Sequence, residues 1–149
     1  MLTNSSPLFE QVIELKKSGR FVEISKLIPY TAFVNLELQD GDDGLITILR
    51  QTDSNIGNTT IPAVHGGVVG GLLEQAAVME VIYRCEITRF PKVINISVDY
   101  LRPVIGLKDT FARATLIKQG RSVSNVRVEA WQDNPERLVS AAHAHFLMR

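Results

Sequence analysis

Val64-His65-Gly66-Gly67-Val68-Val69-Gly70-Gly71-Leu72-Leu73-Glu74 is a short loop opening into a long helix, with paired glycines at its start and a carboxylate further in. Glu74 is seven residues beyond Gly67, close to two α-helical turns, so both lie on one side of the helix. First-turn backbone N–H groups have no intrahelical acceptor and can hold an oxyanion. Glycine lets a substrate carbonyl come close to them. A donor pocket with a carboxylate is the minimum needed to transfer an acyl group to water.

The helix is predicted from about Gly66 to Glu86. Val68, Val69, Leu72, Leu73, Ala76, Ala77, Val78, Met79, Val81 and Ile82 leave it almost no polar face. A helix apolar all round is buried on most sides, so a sheet is expected to wrap around it. Gly70 and Gly71 each cost about 1 kcal/mol relative to alanine in a helix interior. Close approach by another backbone would justify them, a neighbouring subunit being one source. Glu74 and Gln75 interrupt the apolar surface. Glu74 either solvates a narrow wet edge or does chemistry, and the His-Gly-Gly lead-in favours chemistry. His65 alone reads as a capping histidine; its interest lies in its place before the glycine pair.

Upstream, Ser6-Pro7 has the form of a helix start, and Leu8, Val12 and Leu15 follow at helical spacing until Gly19. A second short helix carries Phe21, Ile24, Leu27 and Ile28 and is expected to end at Pro29. Together they form an amphipathic extension over about residues 6–29. Phe33 to Gln39 and Leu45 to Arg50 flank a run of turn formers and predict a hairpin. Gln51 to Ala63 reads as a polar loop. After the helix, extended segments are predicted over Val93 to Leu101, Thr110 to Gln119, Ser122 to Gln132 and Leu138 to Met148. Val126, Val128 and Ala130 alternate with Asn125, Arg127 and Glu129, the pattern of a half-buried antiparallel strand. The class is α+β, with one domain over residues 1–149 and no internal repeat.

Lys plus Arg and Asp plus Glu balance at 16 each, which argues against a nucleic-acid or anionic-membrane surface. With Cys85 the only cysteine, no internal disulfide and no Cys-rich zinc site is expected, and Cys85 itself reads as a small buried hydrophobe. His143 and His145 share a strand face but lack a third ligand nearby, so no metal site is expected. No secretory signal and no run long enough to span a membrane is seen, and a cytoplasmic protein is the expectation. The glycine run lacks the pattern of a phosphate loop or dinucleotide fingerprint, and no Gly-x-Ser-x-Gly elbow is present.

His65-Gly66-Gly67 with Glu74, then Ile96-Ser97-Val98-Asp99-Tyr100-Leu101-Arg102-Pro103, Gly120-Arg121-Ser122-Val123 and Leu138-Val139-Ser140-Ala141-Ala142 resemble the hotdog-fold thioesterases. The likeness is to the branch with phenylacetate-pathway and hydroxybenzoyl-CoA thioesterases, and it covers roughly Phe33 onward. It implies a curved antiparallel sheet wrapped around the long helix, in subunits that join edge to edge as a homodimer and often pair again into a homotetramer. It implies hydrolysis of acyl-CoA to a free acid and coenzyme A, with coenzyme A as part of the substrate and no other cofactor. Carried over, Gly67 donates its N–H to the thioester carbonyl, beside His65, and Glu74 of the partner subunit is general base or nucleophile. Gly66 and Thr59 would lie against the substrate, and Arg102, Arg121 and Ser122 would meet the nucleotide end. The chain departs from the family at Thr59, where Asn or Gln, common six residues before the histidine, helps hold the attacking water or the carboxylate. Asn58, one residue earlier, would take that role in a reshaped loop. It departs again at Val93, where some members have serine. These departures keep a non-catalytic acyl-CoA or lipid-binding member as the alternative.

Helix geometry independently calls for a second subunit. Gly67 and Glu74 are about 10 Å apart along the helix axis, whereas an attacking water must sit within about 3–3.5 Å of the carbonyl. A two-fold axis would bring each Glu74 opposite the other subunit's Gly67.

Overall fold

The computed structural model describes residues 6–149. Three short helices lead: α1 (Pro7–Lys17), α2 (Phe21–Lys26) and α3 (Pro29–Phe33). The hairpin β1 (Leu36–Gly41) and β2 (Gly44–Leu49) follows, then a small pair β3 (Ile56–Asn58) and β4 (Ala63–Val64), and the long α4 (Gly66–Arg84). The chain closes with β5 (Lys92–Tyr100), β6 (Thr110–Gln119), β7 (Val123–Trp131) and β8 (Ser140–Leu147). The six long strands form one antiparallel sheet in the order β1-β2-β6-β7-β8-β5. The predicted α+β class and the sheet around one central helix are both present.

Packing of α4 on the sheet follows from side-chain size. The inward row Thr47, Ala112, Ala130, Ser140 runs across β2, β6, β7 and β8, and beside it lie Ala114, Val128 and Ala142. Apart from Ala114, which is 8% exposed, none of these exceeds 2%. These short side chains let the helix settle close to the sheet, where Leu72, Leu73, Met79 and Ile82 fill the space, each 0% exposed. The floor is small because the helix is large. One charge sits inside: Glu80, 4% exposed, pairs with Arg84 and accepts the Leu116 N–H, which lies beside a bulge in the β6–β7 ladder.

The N-terminal helices seal the remaining flank of α4. Ser6 accepts the Phe9 N–H and Pro7 stands in the first turn, as the sequence predicts. Phe9, Val12 and Ile24 join the core, and the Lys16 ammonium donates to the Cys85 carbonyl at the C-terminus of α4, a favourable place for a cation. Two segments differ from the sequence reading. Pro29 starts α3 instead of only ending the helix before it, since a first-turn proline sacrifices no intrahelical bond. The loop after β2 contains the β3–β4 pair, held by side contacts that no local pattern reveals: Gly106 N–H donates to Pro62 O, and Val64 N–H to Val104 O.

The small floor sets a test. Ala142→Leu, which forces three extra carbons beneath the helix, is expected to lower stability by about 1–3 kcal/mol, read as a drop in the urea midpoint at unchanged slope.

Candidate functional site

α4 begins where the β3–β4 pair delivers the chain. His65 is its N-cap, and the ring Nδ1 accepts the Gly67 N–H at 3.0 Å. With Nδ1 accepting, the neutral ring carries its proton on Nε2. The His65 carbonyl accepts from Val68 and Val69, completing the first turn. Gly57 makes this geometry attainable: a Cβ there would lie 2.6 Å from His65 Cα, so the two strands touch backbone to backbone.

Edge strand β5 supplies the opposite wall. Its inward residues Ile96 and Val98 face the cavity, and Tyr100, one step further, donates its hydroxyl to the Gly66 carbonyl at 2.9 Å. Because β5 has no strand on its far side, large apolar groups stand open there: Val93 is 41%, Ile94 57% and Tyr100 59% exposed. An unpaired, apolar edge of this length is a template for another strand.

Between α4 and β5 lies a cavity of about 590 Å³ lined by Gly67, Gly70, Gly71, Glu74, Gln75 and Val78, with Tyr30, Pro91, Val93, Ile96, Val98 and Phe146 completing it. That volume suits a small organic group. Gly67 and Glu74, predicted to share a helix side, do line one cavity. Glu74 is exposed, and among the described residues nothing pairs with its carboxylate. Gly66 adjoins a second, smaller hollow with Tyr100, Leu101 and Arg102.

The other sequence-derived residues lie apart. Asn58 Oδ1 accepts the Thr60 and Ile61 N–H groups at the tip of the small pair, and Thr59 is exposed beside it. Arg102 donates to the Leu138 carbonyl and borders a hollow shared with Lys108 and Arg137. Arg121 and Ser122 sit in the β6–β7 turn. His143 and His145 are on the outer sheet face beside Ser97 and Asn95. Cys85 is buried, which pushes its thiol up, against a weaker pull from Ser124 and Lys16.

Two residues escaped the sequence reading: Tyr100, which ties the helix start, and Tyr30, in the cavity wall. Tyr100 was accessible to strand alternation, being even-spaced with Ile96 and Val98. Tyr30 was not, because nothing local shows that α3 folds back onto α4.

Residues 55–148 match the family model described as the acyl-CoA thioesterase N-terminal domain. The chain belongs to this thioesterase family. A solved protein of Chromobacterium violaceum is 32% identical, with a TM-score of 0.77 over 94% of this chain and 97% of that one. A phenylacetic acid degradation-related protein of Ralstonia eutropha is 25% identical, with a TM-score of 0.73 over 85% and 98%. PaaI, from the phenylacetic acid degradation operon of E. coli, shares the fold at 14% identity, with a TM-score of 0.71 over 93% and 98%. No curated protein matches. The architecture is the hotdog fold, and family and fold together support acyl-CoA thioester hydrolysis in general. No helix among the described residues is long and apolar enough to cross a membrane.

The Gly57 contact is testable. Gly57→Ala is expected to displace His65 and destabilise the protein by about 1–3 kcal/mol, seen as a lowered melting temperature; an unchanged one would mean the strands are not held this closely.

Proposed function

We propose that the protein hydrolyses acyl-CoA thioesters at a site shared between two subunits. The observation that carries this is the cavity itself: Gly67 at the helix start and the unpaired Glu74 line it together, along the open β5 edge. The thioester carbonyl binds at the Gly67 N–H, taking over or sharing the donor that His65 Nδ1 holds. The exposed ring of His65 then turns to solvent. Negative charge developing on the oxygen is stabilised there by the first-turn dipoles. Glu74 of the partner either removes a proton from the attacking water or attacks the carbonyl itself. The carbon–sulfur bond breaks and the thiolate leaves with a proton as free coenzyme A; where Glu74 attacks, water then opens the acyl–Glu74 anhydride, so either route yields the carboxylic acid.

The open, apolar β5 edge supports pairing with a second subunit. Joined there, the two α4 helices run side by side, and each Glu74 can reach the other subunit's Gly67, removing the 10 Å mismatch estimated within one helix. A binding role without hydrolysis has two observations in its favour. The Gly67 donor is already satisfied, and Asn58 Oδ1 is spent on its own turn.

Thiol release from acyl-CoA separates the two readings. Glu74→Gln is expected to lose about 100- to 10,000-fold in kcat while keeping its fold; acyl-CoA binding with no wild-type thiol release would establish the binder. Gly67→Val and Glu74→Ala, each inactive, should regain part of the activity when refolded together, because some mixed dimers then hold one intact site. Ile94→Asp, on the open edge, is expected to give single subunits by light scattering and to abolish turnover. A fully active monomer would overturn the shared site.

A further inference from the structure

Gly71 is a glycine because something sits on it. A Cβ at that position would lie 2.5 Å from Tyr30 Oη and about 3 Å from two of its ring carbons. The phenol of α3 therefore rests against the backbone of α4. Gly67, Gly71, Glu74 and Val78 recur at helical spacing on one face, and Tyr30 lines the same cavity as all four. Gly71 is four residues beyond Gly67, about 6 Å along the axis. A group anchored at Gly67 and running along the helix meets the Tyr30 ring at that distance.

The short helix that carries the ring is anchored on both sides of Tyr30. Thr31, 2% exposed, has its hydroxyl 2.6 and 2.7 Å from the Ser25 and Ile28 carbonyl oxygens. At the other end of α3, Asn55 Nδ2 donates to the Val34 carbonyl at 2.8 Å. Pro29 fixes the first turn. A helix-interior glycine is unfavourable relative to alanine, so this arrangement gives up helix stability to seat the tyrosine.

We propose that Tyr30 is a specificity-determining wall that limits the length of the acyl group. Carbon–carbon bonds are about 1.5 Å long, so a zigzag chain spans 6 Å in roughly five bonds. A straight chain of up to about six carbons fits short of the ring, and a longer one must bend past it toward Glu74 and Val78, which line the same cavity. This rests on reading the cavity as an acyl-CoA site.

The experiment is a series of straight-chain acyl-CoAs of about four to fourteen carbons, each assayed for kcat/KM. Wild type is expected to fall off beyond about six carbons. Tyr30→Ala should raise the ratio of long-chain to four-carbon kcat/KM by about 10-fold or more, the discrimination that one methylene carries in a fitted pocket. Tyr30→Phe, which keeps the ring, should keep the cutoff. Gly71→Ala pushes the ring outward and should shorten it, and serves if Tyr30→Ala does not fold. A wild type without a cutoff overturns the wall, as does a Tyr30→Ala profile that is unchanged or uniformly lowered. Binding of non-hydrolysable acyl-CoA thioethers by calorimetry gives the same length profile without turnover. Hydrolysis without a cutoff removes only the wall, and a binding cutoff without hydrolysis removes only the hydrolase.

Discussion

Everything in this molecule hangs on how closely α4 lies to the sheet. The inward alanines and hydroxyls of β2, β6, β7 and β8 contribute little volume, and the helix brings Leu72, Leu73, Met79 and Ile82 down onto them. An interior packed to crystal-like density fixes the position of a helix in a way that a looser core does not. Catalysis by oriented backbone donors needs that fixity, because a first-turn N–H is useful only where a carbonyl will be. The buried Glu80, bonded to Arg84 and to the Leu116 N–H, adds a polar tie between helix and sheet at the other end.

The site is then built from edges. The same inward row that begins with Thr47 and Ala112 ends at Tyr100 on β5, where there is room for a long side chain to reach the Gly66 carbonyl. Small residues lie beneath the helix and a large one beyond its flank, so a single row both seats the helix and ties its first turn. The opposite flank is closed by the N-terminal helices, whose Lys16 meets the last turn of α4.

Much of this was legible in the sequence. The apolar run from Val68 to Ile82 could be satisfied only by burial on most sides, which implies a wrapping sheet, and period-two alternation marked the later strands. The spacing of Gly67 and Glu74 placed both on one helix side, and both line the cavity. Other features were written in contacts between distant residues. Gly57 looks like loop glycine until His65 is found against it. Gly70 and Gly71 suggested the approach of another backbone; within the chain, the atoms over Gly71 belong to the Tyr30 ring. Asn58 looked available for a water, but its oxygen is bonded two and three residues ahead, a turn preference that competes with any longer-range role.

The strand order has a consequence for biosynthesis. β5 follows α4 directly in the chain, yet its sheet partner is β8. During synthesis at about 5–20 residues per second, the helix start, Glu74 and the whole of β5 emerge while the strand that must hold β5 does not yet exist. The cavity wall stays unsupported until residues 140–147 leave the ribosome. A nascent chain therefore carries the helix start, Glu74 and β5 without the site, and a stop codon ahead of Ser140 would yield a protein with those residues intact and no cavity to hold them.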